Sequence, residues 1–103
     1  HLNRADVMKT LLAINIMPAL EEDMVDYLLA TKGVEGFTSF AIRGHGDHSN
    51  LSLAEQVTGR RNRLQFEIIT EEAVAQKIIA GLVKNVGKNI IYWQQTISNI
   101  GRV

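Results

Sequence analysis

No cysteine occurs in the 103 residues, and that absence removes disulfides, thiolate metal sites and cysteine nucleophiles together. It suits a reducing cytoplasm, the expected compartment. A surplus of charge of one sign is also missing. Eleven basic and eleven acidic side chains cancel to a formal net charge of zero, so no overall field draws the chain to a polyanion, and no nucleic-acid partner is expected. No apolar run approaches the roughly 20 residues of a membrane span, so no direct membrane insertion is expected either. Catalytic constellations are lacking too. The only candidate bases are loop histidines, and no Ser/His/Asp or paired-carboxylate arrangement falls on facing elements. "VGKN", Val86 to Asn89, is only a fragment of a P-loop. An acylphosphatase-like hydrolase would need an Arg and Asn loop after the first strand, and none is there. The expectation is a protein that is not an enzyme.

What the chain does have is enough apolar residues for one core: a domain of this length buries somewhat over about 60% of its unfolded surface. The opening "HLNRADVMKTLL" has no signal-peptide core, and Met8-Lys9 resembles a native start. Residues 1–7 are read as a tag remnant or flexible N-terminal arm, which discounts His1 as a ligand, and 8–103 as a single domain.

Along that domain the apolar period changes in a regular way. "KTLLAINIM", Lys9 to Met17, is apolar on more than one side and predicts a central strand. Pro18 suits a first helical turn, with Glu21, Glu22 and Asp23 near the positive end of the helix. Leu20, Met24 and Leu28 with Val25 and Leu29 form its expected buried stripe, and Gly33 ends it. "GFTSFAIR", Gly36 to Arg43, predicts a second strand, with Phe40 and Ile42 on one face and Phe37 and Ala41 on the other. "RLQFEIIT", Arg63 to Thr70, alternates Leu64, Phe66 and Ile68 with Gln65 and Glu67. Thr70 is positioned to cap a helix whose Val74, Ile78, Leu82 and Val86 share a face beside Ala75 and Ile79; Gly87 closes it. Asn89 to Ile97 completes the set.

The order strand, helix, strand, strand, helix, strand is the split βαβ arrangement of ferredoxin-like folds: an α+β, four-stranded antiparallel sheet with two helices on one face. The other face is left uncovered. Leu11, Ala13, Phe37, Ala41 and Trp93 or Tyr92 exceed what one helix layer covers, so a homo-oligomer is expected; the plain alternative is ordinary half-exposed apolars.

A hairpin link normally uses roughly 2–5 residues, yet a far longer segment separates Arg43 from Arg63. Ser52-Leu53-Ala54-Glu55 fits a capping box, predicting a short helix over Leu53 to Val57 with Gly59 after it. Gly44-His45-Gly46 permits backbone that approaches an anion or ligand closely, or simply a bulge and turn. His45, Asp47 and His48 are ligand-type residues compatible with Zn or Cu, or a solvated turn. Arg60, Arg61 and Arg63 form a cation cluster able to clamp phosphate or carboxylate, or a solvated loop end paired with Glu55 or Glu67.

"MPALEEDMVDYLLATKGVEGFTSFAIRGHG" is similar to the first helix and second strand of the PII signalling proteins, where Gly-x-Gly precedes the long T-loop. "GFTSF", "GHG", "LSLAEQVTGR" and the closing Gly101-Arg102-Val103 resemble a PII-like subfamily often encoded beside heavy-metal efflux pumps. The resemblance runs from about Met8 to the end. It implies a trimer, with residues 44 to 62 as the T-loop and a small effector held in the cleft between subunits by Gly44, His45, Gly46, Gly87, Lys88 and Arg102. The loop, with Leu53, Glu55, Arg60, Arg61 and Arg63, would then face an anion or a protein partner, such as a membrane transporter component of metal efflux. Adenine nucleotide and divalent metal are the candidate ligands, neither required. This chain departs from the pattern: its Gly-rich loop is cut to "NVGKN", its tail has one arginine, and its T-loop has no tyrosine. The competing reading is a CutA-like metal-binding protein using the loop histidines.

Overall fold

In the computed structural model, residues 8–45 and 61–103 are described. Strand β1 (Lys9–Ile16) leads through a 3-10 turn (Pro18–Leu20) into helix α1 (Glu21–Ala30). Strands β2 (Thr38–Gly44) and β3 (Arg61–Glu71) follow, then helix α2 (Glu72–Asn85) and strand β4 (Ile91–Ile97). The four strands form one antiparallel sheet in the order β2-β3-β1-β4, with β1 and β3 central. This is the expected ferredoxin-like architecture. The expected arm at residues 1–7 and the short helix over 53–57 lie outside the described residues.

Register follows from burial. Leu12 faces Ile68, Ile14 faces Phe66 and Ile16 faces Leu64 across β1 and β3. These side chains meet Met24 and Leu28 of α1 and Ala75, Ile78 and Leu82 of α2 in one core. A one-residue slip would send the whole set to the opposite face, so the pairing is strongly specified. Phe37, just before β2, packs on Phe66 with ring centroids 6.0 Å apart and planes tilted by 46°. Where β4 meets the helix layer the contact is polar. Gln76 Nε2 donates to Gln94 Oε1 at 3.0 Å, and Gln94 Nε2 donates to Thr10 Oγ1 at 3.3 Å. Thr10 Oγ1 in turn donates to the Gln95 carbonyl at 3.0 Å.

Several expectations are corrected. Leu29 is 72% exposed and does not belong to the buried stripe of α1. Thr70 does not cap α2: its hydroxyl donates to the Gly33 carbonyl at 3.1 Å, and Glu71 occupies the N-cap without a side-chain bond. Strand β3 begins at Arg61, two residues earlier than its apolar alternation suggests, because its ladder with β2 continues to Gly44↔Arg61.

The open face of the sheet has a different membership from the one expected. Ala41 lies opposite Leu64, and Tyr92 opposite Ile14, both on the helix side, while Phe37 joins the core. Phe40 and Ile42 of β2, Leu11 and Ala13 of β1, Ile69 of β3 and Ile91 and Trp93 of β4 share the open side. In β2 both faces carry apolar side chains, so alternation defines two faces without saying which one the helices cover.

Candidate functional site

The antiparallel order brings four chain segments to one end of the sheet: the close of β1, the close of β2, the start of β3 and the start of β4. The β2–β3 stem ends there at Gly44↔Arg61, and His45, just past it, is exposed. Gly87, Lys88 and Asn89, which link α2 to β4, arrive at the same end. Local chemistry explains that link. The Val86 and Gly87 amides both donate to the Leu82 carbonyl, at 2.8 and 3.0 Å, closing the helix. Gly87 has φ +155°, and a Cβ there would press on Leu20 at 3.1 Å. Asn89 has φ 59°, a left-handed conformation that Asn tolerates better than most residues.

Arg63 joins these segments. It is only 8% exposed. Its Nε donates to Asn15 Oδ1 at 2.6 Å, and its Nη2 donates to the carbonyls of Asn15 at 3.1 Å and Asn89 at 2.9 Å. Asn15 sits between Gln65 and Ile91 in the ladder, so one guanidinium reaches from β3 past β1 to the α2–β4 link. Charge-assisted bonds of this kind offset the desolvation of a buried cation. Arg63 is thus part of a strand and tied to its neighbours in the sheet, not a member of a solvated loop end.

Of the other residues singled out in the sequence, Gly46, Asp47, His48, Leu53, Glu55 and Arg60 lie outside the described residues. Lys88 is exposed beside Gly87. Arg102 belongs to the tail that follows β4. Strand β4 ends with Ile97 opposite Lys9, at the far end of the sheet, and the exposed tail carrying Arg102 departs from there. Among the described residues no group of three or more His, Cys, Asp or Glu is placed to hold a metal ion. Among the described residues, two depressions, one around Lys9, Thr10, Glu72 and Gln94 and one around Gly33, Thr70 and Glu71, lie at that far end also.

Sequence reasoning missed Asn15 and Asn89. Asn15 is a polar residue inside the apolar run from Leu11 to Ile16, which is the one signal that something must satisfy it.

The open face is the other surface without an evident covering. Phe40 is 42%, Ile69 44%, Ile91 55% and Trp93 41% exposed. They surround a polar centre in which Gln65 Nε2 donates to Glu67 Oε2 at 3.1 Å. Among the described residues no helix is long and apolar enough to cross a membrane.

Residues 7–103 match the family model described as "Protein of unknown function (DUF3240)", and the chain belongs to that family. No curated protein sequence matches it. Among solved structures it is similar to a DUF3240 family protein from Shewanella baltica, with 23% identity over 92% of this chain and 96% of that one and a TM-score of 0.75. It is also similar to a protein from Thermus thermophilus described as PII-like and signalling, with 22% identity, 88% of each chain and a TM-score of 0.63. B. subtilis GlnK matches at 18% identity over 88% of this chain and 86% of its own, with a TM-score of 0.65. The fold is PII-like.

Proposed function

We propose that this member of the DUF3240 family is a PII-like regulatory module: a cytoplasmic homotrimer that binds a small effector between subunits and presents residues 44 to 62 to a protein partner. A membrane component of metal efflux is the partner favoured by the sequence resemblance. Such a protein binds and signals and does not turn over a substrate.

The observation that carries this reading is the open sheet face, where Phe40, Ile69, Ile91 and Trp93 stand roughly half exposed on one side of the sheet. Large exposed apolar side chains gathered on one sheet face around a polar centre are suited to an interaction site, and sister protomers cover them with identical surfaces. Assembly also accounts for the dispersed site residues. Gly44, His45, Gly87 and Lys88 come from one end of a protomer and Arg102 from the tail of a neighbour. Effector binding shifts the population of the 44 to 62 segment, and the partner reads that shift.

The test combines sedimentation with thermal denaturation in the presence of ATP, ADP, Zn²⁺ and Cu²⁺. A trimer at micromolar concentration is expected, with a melting point raised by an adenine nucleotide, since a ligand at about 100 times its Kd adds roughly 2.7 kcal/mol to the state it prefers. A well-behaved monomer sinks the reading. A response to metal alone that disappears in His45→Ala/His48→Ala replaces it with the metal-binding alternative.

A further inference from the structure

We infer that Arg63 is a positioning residue that mechanically couples the α2–β4 link to the stem of the β2–β3 connection, so that a change in the backbone at Asn89 is felt at Gly44 and Arg61. The inference rests on the regulatory reading only for what the coupling is used for.

Three observations support it independently of any ligand. First, the guanidinium is buried and bridges two segments, the end of β1 through both oxygens of Asn15 and the α2–β4 link through the carbonyl of Asn89. A planar fork cannot follow one acceptor without changing its geometry to the other, which is why arginine transmits orientation where a flexible ammonium does not. Second, the Asn89 carbonyl is aimed by a left-handed backbone, φ 59°. That conformation is one of the few discrete regions open to this residue, and leaving it swings the carbonyl away from Nη2. Third, Arg63 is register partner to Ile42 and lies two residues from Arg61, the last rung before the chain leaves the ladder at Gly44. Displacement of its backbone therefore acts on the final turn of the stem, where few rungs remain to resist it. A backbone held in an uncommon conformation, a shared hydrogen-bonded cation and a ladder end with few rungs beyond it are the physical parts of this coupling.

The experiment is a double-mutant cycle read by amide hydrogen exchange on the unliganded chain. Asn89→Val disfavours the left-handed conformation, and Arg63→Gln removes the charged fork. Asn89→Val alone is expected to speed exchange at residues 42–44 and 61–63 at least tenfold. Amides at the Lys9, Glu71 and Ile97 end speed up by no more than the loss of global stability measured by denaturation accounts for, and the stem amides exceed that factor. In the Arg63→Gln background the same substitution at Asn89 changes the stem rates less than twofold. If Arg63→Gln does not fold, Arg63→Lys serves in its place, since it keeps the charge and loses the fork. The inference is overturned if Asn89→Val leaves the stem rates unmoved, if it speeds exchange equally at both ends of the sheet, or if its effect is the same in both backgrounds. Positive coupling in a protein that answers to no nucleotide or metal would leave this inference standing and remove the effector reading instead.

Discussion

The hydroxyl of Tyr27 occupies the space that a side chain at Gly81 would fill. It donates to the Ile78 carbonyl at 2.9 Å, and a Cβ at position 81 would overlap it. The two helices approach closely here because α2 has no side chain at that point. Gly81→Ala gains about 1 kcal/mol of helix propensity but forces Tyr27 aside, so a net loss of about 1–3 kcal/mol is expected from overpacking. Tyr27→Phe costs about 1 kcal/mol for the hydrogen bond. Urea denaturation of the double variant should give a loss smaller than the sum, because removing the hydroxyl makes room for the methyl.

Burial raises the Tyr27 phenol above its ordinary value of 10.0. The folded state thus holds that proton more tightly than the unfolded chain does. The resulting stabilisation is fully present below pH 10 and is lost as pH rises through the raised value. The stability difference between the parent and Tyr27→Phe should be constant from pH 6 to 9 and shrink above pH 10. A difference that grows with alkalinity would contradict the burial of this hydroxyl.

Phe66 lies at the centre of the core, fully buried against Ile14 and Phe37. Phe66→Ala is expected to cost about 3–5 kcal/mol, through lost transfer energy and the cavity left behind. Phe37, only partly buried at the margin, should cost about half as much on the same change. Chemical denaturation reads both.

On the open face, Trp93→Glu and Phe40→Glu each place a charge where a partner protomer is proposed to sit. Each removes a side chain whose full burial contributes about 1.5–3 kcal/mol. Either variant should raise the dissociation constant of the assembly at least tenfold by sedimentation while leaving the far-ultraviolet circular dichroism unchanged. Unaltered association in both would place the interface elsewhere.

At Asn89 the left-handed backbone distinguishes two substitutions. Asn89→Gly should be neutral within about 0.5 kcal/mol, while Asn89→Val should cost about 1–2 kcal/mol. Equal effects in thermal denaturation would mean that the conformation at φ 59° does not matter to stability.

The elements and their order were legible along the chain. Leu64, Phe66 and Ile68 alternate with polar neighbours, Val74, Ile78 and Leu82 recur at helical spacing, and Gly33 and Gly87 stand at positive φ where the helices finish. Period and backbone freedom are local properties, so residue types and spacing suffice to reveal them. Three other outcomes came from packing: which face of β2 the helices cover, that Thr70 answers Gly33 and not its own helix, and that Arg63 reaches Asn15 and Asn89. The last two depend on partners 26 to 48 residues away in the chain, and a side chain's neighbours at that distance are set by how the layers meet, not by its own chemistry.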